Sequence, residues 1–174
     1  MTKLYYIAIY PPQNIIDEIR EFKEDIAKNF NSVKALKNDA HITLLPPFSR
    51  ELSLEQDIHV AFQKINTNFS PFEIELNGFG NFPNQKNPVI FIKPETNETL
   101  KLLHLKVSEQ FKFNKTSFNP HITIGYRDLT FENFQKAWNK YQNLKYHRKF
   151  QVEKILLLRH DFGKWKVLDE KKLQ

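Results

Sequence analysis

The 174-residue chain contains no cysteine. A disulfide framework and a thiolate metal site are both excluded. Glycine is scarce, with 4 residues in all, and the chain has no Gly-rich phosphate loop. No apolar run approaches the roughly 20 residues that a membrane span needs. There is no linker and no low-complexity tract. The first residues pass straight into an expected strand, without the layout of a signal peptide, so a cytoplasmic protein with no membrane partner is expected. The length suits one domain over 1–174, or two lobes sharing a core.

Charge is abundant but unevenly placed. The net charge is +6. Residues 140–174 carry 10 Lys and Arg against 4 Asp and Glu, so the whole excess lies there. A basic segment of this kind is either a footprint for a phosphate-bearing partner or a solvated face.

Against this background one phrase occurs twice. Ala40-His41-Ile42-Thr43-Leu44-Leu45 and Pro120-His121-Ile122-Thr123-Ile124-Gly125 both read as strands. Side chains alternate across a strand, so each His shares a face with its Thr while the intervening apolar residues point to the core. On the second strand Gly125 and Arg127 extend the polar face, and Tyr126 joins Ile122 and Ile124 on the other. The histidines lie 80 residues apart, which suggests two related halves. Of the six histidines, only these two have threonine two residues on. One copy would be an ordinary strand histidine bonded to a backbone carbonyl. Two copies point to chemistry.

The remaining elements are read from periodicity. A strand is expected over 3–10, ended by Pro11-Pro12. Asn14 is the expected cap of a helix to about residue 30, with Ile15, Ile16, Ile19, Phe22, Ile26 and Phe30 at helical spacing. A short strand is expected over 33–37. The first His-x-Thr strand should stop at Pro46-Pro47. A helix over roughly 53–66 carries His59, and strands come next at 72–79 and 89–93. A third helix runs from Leu100 to Phe111, with His104 on its surface. Thr130 should cap a fourth helix, 150–158 should form one strand, and a turn at 161–164 should close a terminal hairpin. Helices alternating with hairpins indicate an α+β fold with mainly antiparallel sheets.

The paired motifs, the opening strand Leu4–Pro12, the trailing Pro46-Pro47-Phe48 and the Asn119-Pro120 lead-in together resemble the 2H phosphoesterase superfamily. That superfamily includes the RNA 2′,3′-cyclic phosphodiesterases, also called 2′–5′ RNA ligases. The resemblance implies a LigT-like fold: two pseudo-symmetric lobes with flanking helices, whose motifs face each other across a central cleft. It implies a metal-independent phosphodiesterase without a cofactor, acting as a monomer on RNA or a nucleotide with a 2′,3′-cyclic or 2′–5′ phosphodiester.

The residue types suit that chemistry. In-line attack on a cyclic phosphodiester needs a base on one side, an acid on the other, and donors on the phosphoryl oxygens. Histidines supply acid and base near neutral pH, and threonine hydroxyls supply donors without charge. His41 and His121 are therefore the expected acid–base pair, in unassigned order, and Thr43 and Thr123 the phosphate donors. Arg127 is a candidate for substrate charge. Phe48, Tyr126 and Phe82 are candidates for stacking on a base. Hydrolysis of 2′–5′ oligonucleotides or another cyclic phosphate, a non-catalytic RNA-binding domain, and a metal held by His41 and His121 are the alternatives, the last ranked lowest.

Overall fold

The computed structural model describes residues 1–114 and 117–174. Eight strands and four α-helices occur among the described residues. In chain order they are β1 (Thr2–Ile9), α1 (Gln13–Phe30), β2 (Ile42–Glu51), α2 (Glu55–Gln63), β3 (Phe72–Phe82), β4 (Val89–Pro94), α3 (Glu98–Gln110), β5 (Ile122–Gly125), α4 (Phe131–Tyr141), β6 (His147–Val152), β7 (Lys154–Asp161) and β8 (Lys164–Lys172). None of the described helices is long and apolar enough to cross a membrane.

The strands form two antiparallel sheets, ordered β2-β1-β7-β8 and β5-β4-β3-β6. The α+β expectation holds. The first sheet takes its strands from both ends of the chain, and the second lies between them in sequence. Each motif runs into an edge strand, β2 in one sheet and β5 in the other.

Helix α1 buries Ile15, Ile16, Ile19 and Ile26, the stripe that the spacing implies. It ends at Asn31, whose φ of 55° is the left-handed conformation that asparagine tolerates at a helix end. Its N-cap is Pro12 rather than Asn14, and no side chain caps it. Although α1 connects two strands of the first sheet, it packs against β5 of the second. Ile26 comes so close that a Cβ built on Gly125 would lie 3.2 Å from it. Helix α3 does the reverse: it connects strands of the second sheet and packs against β2. One apolar core therefore joins Ile7, Ile9 and Ile42 to Ile74, Ile92 and Ile122.

Several expectations are corrected. Residues Lys34–Lys37 form a 3₁₀ turn, not a strand. Helix α2 opens at Glu55 after a separate 3₁₀ turn over Leu52–Leu54, and ends at Gln63. Residues 150–158 are not one strand: β6 ends at Val152 in one sheet, and β7 starts at Lys154 in the other. Pro46-Pro47 do not stop β2. Tyr5 pairs with Phe48 and Ile7 with Leu45, so the two prolines sit opposite Tyr6 alone, in a bulge of an edge strand. An edge strand tolerates proline because the missing N–H need not serve a ladder. Thr130 caps α4 as expected, its hydroxyl accepting from the Asn133 amide at 3.2 Å.

Candidate active site

Each motif histidine sits just before its strand, and both are held in the same way. His41 Nδ1 lies 2.7 Å from the carbonyl of Asp39, and His121 Nδ1 lies 2.9 Å from the carbonyl of Asn119. A carbonyl only accepts, so Nδ1 must carry the proton in both rings. The neutral ring then has its basic nitrogen at Nε2.

The echo continues past the threonines. Ala8 pairs with Thr43 and Ile7 with Leu45, which leaves Leu44 without a partner. Phe91 pairs with Thr123 and Ile90 with Gly125, which leaves Ile124 without one. Both motif strands thus bulge at the residue after Thr. A bulge reverses the facing of the residues beyond it. That is why Gly125 meets the core at Ile26, and why Tyr126, expected toward the core, lines the cleft.

The two edge strands bring their polar faces to one cavity of about 250 Å³. His41, Thr43, His121, Thr123, Tyr126 and Arg127 all line it, joined by Lys23, Asn38, Tyr6 and Trp165. Larger hollows exist, one of about 690 Å³ beside Lys101 and Leu105 of α3, but none of them contains a motif histidine. Among the described residues no three His, Asp or Glu side chains group in a way that would hold a metal.

Aromatic rings wall both histidines. Tyr6 lies 5.2 Å and Tyr10 6.1 Å from His41, and the two tyrosine hydroxyls bond each other at 3.3 Å. Phe82 meets His121 edge-on at 5.2 Å, and Phe91 lies 5.4 Å away. His41 is half-buried, and its pKa falls to about 4. Burial is the main cause, and the nearby charges of Lys23 and His121 add to it.

Arg127 is exposed, adopts a left-handed φ of 58°, and lays its guanidinium 5.0 Å from the Tyr126 ring centre. The Tyr126 hydroxyl accepts from Asn38 Nδ2 at 3.3 Å. Phe48 is not brought to the cleft. It stacks on Tyr5 at 5.9 Å and packs against Phe111 at 5.6 Å, on the side facing the main core.

Lys23, Asn38, Tyr6 and Trp165 line the cavity although the sequence reading does not single them out, and His104 is misplaced by it. Lys23 is buried on α1 and opens into the cavity. Its signal is a lysine four residues after Ile19 and three before Ile26, on the apolar stripe. Trp165 packs edge-on against Tyr6 at 4.5 Å from β8, which the sequence places far from either motif. His104, expected on a helix surface, is buried. It contacts the bulged Leu44 carbonyl through Nδ1 at 2.9 Å, and its ring stacks on Phe118 at 4.0 Å. It thus touches the segments bearing both motifs.

Part of the basic C-terminal segment is paired at home. Arg148 holds Glu18 at 2.8 Å, Lys149 holds Glu73 at 3.1 Å, and Lys140 holds Asp25 at 2.7 Å. Lys154 holds Glu170 at 2.6 Å, and Arg159 holds Glu55 at 2.6 Å.

Known proteins share this fold. The fold matches the crystal structure of Escherichia coli LigT complexed with 3′-AMP (TM-score 0.71, 17% identity, 100% and 99% of the two chains). It also matches TT0787 of Thermus thermophilus (TM-score 0.68, 21% identity, 98% and 97%). In sequence, the chain is 30% identical over 168 residues to a Geobacillus protein that bears only a provisional phosphoesterase name, covering 95% of this chain and 93% of that one. It is 31% identical over 128 residues to the RNA 2′,3′-cyclic phosphodiesterase of Archaeoglobus fulgidus, covering 68% and 72%. Residues 11–164 match the description of the 2′-5′ RNA ligase superfamily, and the chain belongs to that superfamily.

Proposed function

We propose that this protein is a phosphodiesterase that opens 2′,3′-cyclic phosphates of RNA or nucleotides by histidine acid–base catalysis, with 2′–5′ ligation as the same opening by a 5′-hydroxyl in place of water. The observation that carries the reading is the matched pair: two histidines fixed through Nδ1 to the carbonyl two residues back, facing one cavity with two threonines. The name of the Archaeoglobus relative and the 3′-AMP bound to LigT support it.

In hydrolysis, one Nε2 takes a proton from water as the water oxygen bonds to phosphorus. The bond from phosphorus to one ribose oxygen breaks, and the second histidine protonates that oxygen. Thr43 and Thr123 donate to the non-bridging oxygens. Burial lowers the His41 pKa to about 4 in the unliganded protein, so that ring is neutral there, and a bound phosphate anion would raise it. Either histidine can serve as base with the other as acid, and the pH–rate profiles of the single variants assign the order. The scheme needs neither metal nor cofactor.

Turnover of a panel of 2′,3′-cyclic nucleotides and 2′–5′-linked dinucleotides, in excess EDTA, tests the reading. His41→Ala and His121→Ala should each lower kcat by roughly 10²–10⁴-fold, with the double variant little worse than the poorer single. A wild-type protein that binds RNA and leaves every such diester intact would return the chain to the RNA-binding class. Activity lost in EDTA and restored by zinc would promote the metal reading.

A further inference from the structure

Lys23 breaks the rule of its own helix. The other buried residues of α1 are isoleucines, and Lys23 sits among them with 4% of its surface exposed. Its ammonium has three N–H donors. One goes to the Asn38 carbonyl at 2.6 Å. Among the described residues Lys23 forms no ion pair. Asp39 lies near enough for its charge to favour the ammonium, and Arg20 opposes it. Burial outweighs both, and the pKa falls to about 8.

A buried cation without a counter-ion is costly, and proteins retain one where something outside the chain completes it. Lys23 opens into the cavity that holds His41, Thr43, His121 and Thr123. Its charge already reaches His41. Arg127 lines the same cavity but is exposed to water, where its charge is screened. The strongest electrostatic position in the cleft therefore belongs to Lys23.

We infer that the Lys23 ammonium is the counter-ion of the substrate's phosphoryl group: a catalytic cation delivered by α1, from outside both His-x-Thr motifs. The inference rests on the phosphoesterase reading and adds a charge to it. The two threonines are neutral donors, so Lys23 is the group that neutralises a non-bridging oxygen. The phosphomonoester product carries more negative charge than the cyclic diester, so the same cation holds product more tightly than substrate.

Inorganic phosphate is the probe. In wild-type protein with labelled lysine and histidine, phosphate should shift the His41 and His121 ring signals and raise the titration midpoint of the Lys23 side chain. Lys23→Met should weaken phosphate binding roughly 10-fold or more. Its melting temperature should hold or rise, because methionine suits the apolar stripe. Lys23→Arg, which restores the charge, should recover part of the binding. Phosphate that shifts both histidines while the Lys23 titration stays put overturns the inference, and Lys23 is then a tie to the Asn38 carbonyl. The wild-type titration decides this even if Lys23→Met does not fold. Phosphate that moves neither histidine overturns the phosphoesterase reading and this inference together.

Discussion

Holding His41 neutral has a thermodynamic signature. Its pKa is about 6.5 in the unfolded chain and about 4 in the folded one. Between those values the unfolded chain binds a proton that the folded chain refuses. Stability from this ring is fully present above about pH 6.5 and is lost as pH falls toward about 4. A difference of about 2.5 pKa units corresponds to roughly 3 kcal/mol over the whole window. Asp161 titrates elsewhere. Its ion pairs with Lys3 and Arg159 hold it near 2, so its stability is lost below the His41 window. His41→Asn separates the two effects, because the Asn amide can still donate to the Asp39 carbonyl but cannot take a proton. Urea unfolding at pH 7 and pH 4.5 provides the assay. Wild type should lose roughly 2–3 kcal/mol more than His41→Asn between the two conditions. Equal losses would refute the claim that burial keeps this ring neutral.

The pairing of side chains sets two further outcomes. Arg148 and Lys149 are already matched with Glu18, Glu73 and Glu75 on β6, at the edge of its sheet opposite β5, so neutralising them should leave the salt slope of RNA binding unchanged. A slope reduced by about one per residue would show that they meet phosphates. His104→Phe keeps the stack on Phe118 but leaves the Leu44 carbonyl without its donor, which should cost about 1–3 kcal/mol in chemical denaturation and lower kcat. His104→Asn keeps a donor near the Nδ1 position and should recover much of both; equal losses in the two variants would rule out the hydrogen bond as the cause.

The His-x-Thr strands, the isoleucine stripe of α1 and the Thr130 cap can be read directly, because each is a local pattern with one physical meaning. The failures have local causes too. Pro46-Pro47 look like a stop because proline breaks a ladder, but on β2 they fall in a bulge at an open edge. Residues 150–158 look continuous because Phe150, Val152, Ile155, Leu156, Leu157 and Leu158 read as one apolar run, and nothing local reveals that Glu153 is where the chain changes sheets. Strict alternation puts Tyr126 on the wrong face because it ignores the bulge at Ile124. Lys23 and Trp165 reach the cleft through tertiary packing that no single segment encodes. Part of the charge excess of the last 35 residues goes into pairs with acids from other parts of the chain, through Lys140, Arg148, Lys149 and Arg159.

The crossed helices constrain how the molecule can move. Helix α1 issues from the first sheet and braces β5, and α3 issues from the second and braces β2. Spreading the sheets apart would lift both helices off their supports at once, Ile26 from Gly125 and His104 from Leu44. This crossed bracing should make the cleft a fixed jaw rather than a hinge. For the proposed acid–base pair, a fixed jaw would keep both histidines in register without waiting for closure. It also binds the fates of the two motif strands together: their amides should exchange with solvent in one slow, shared opening rather than lobe by lobe.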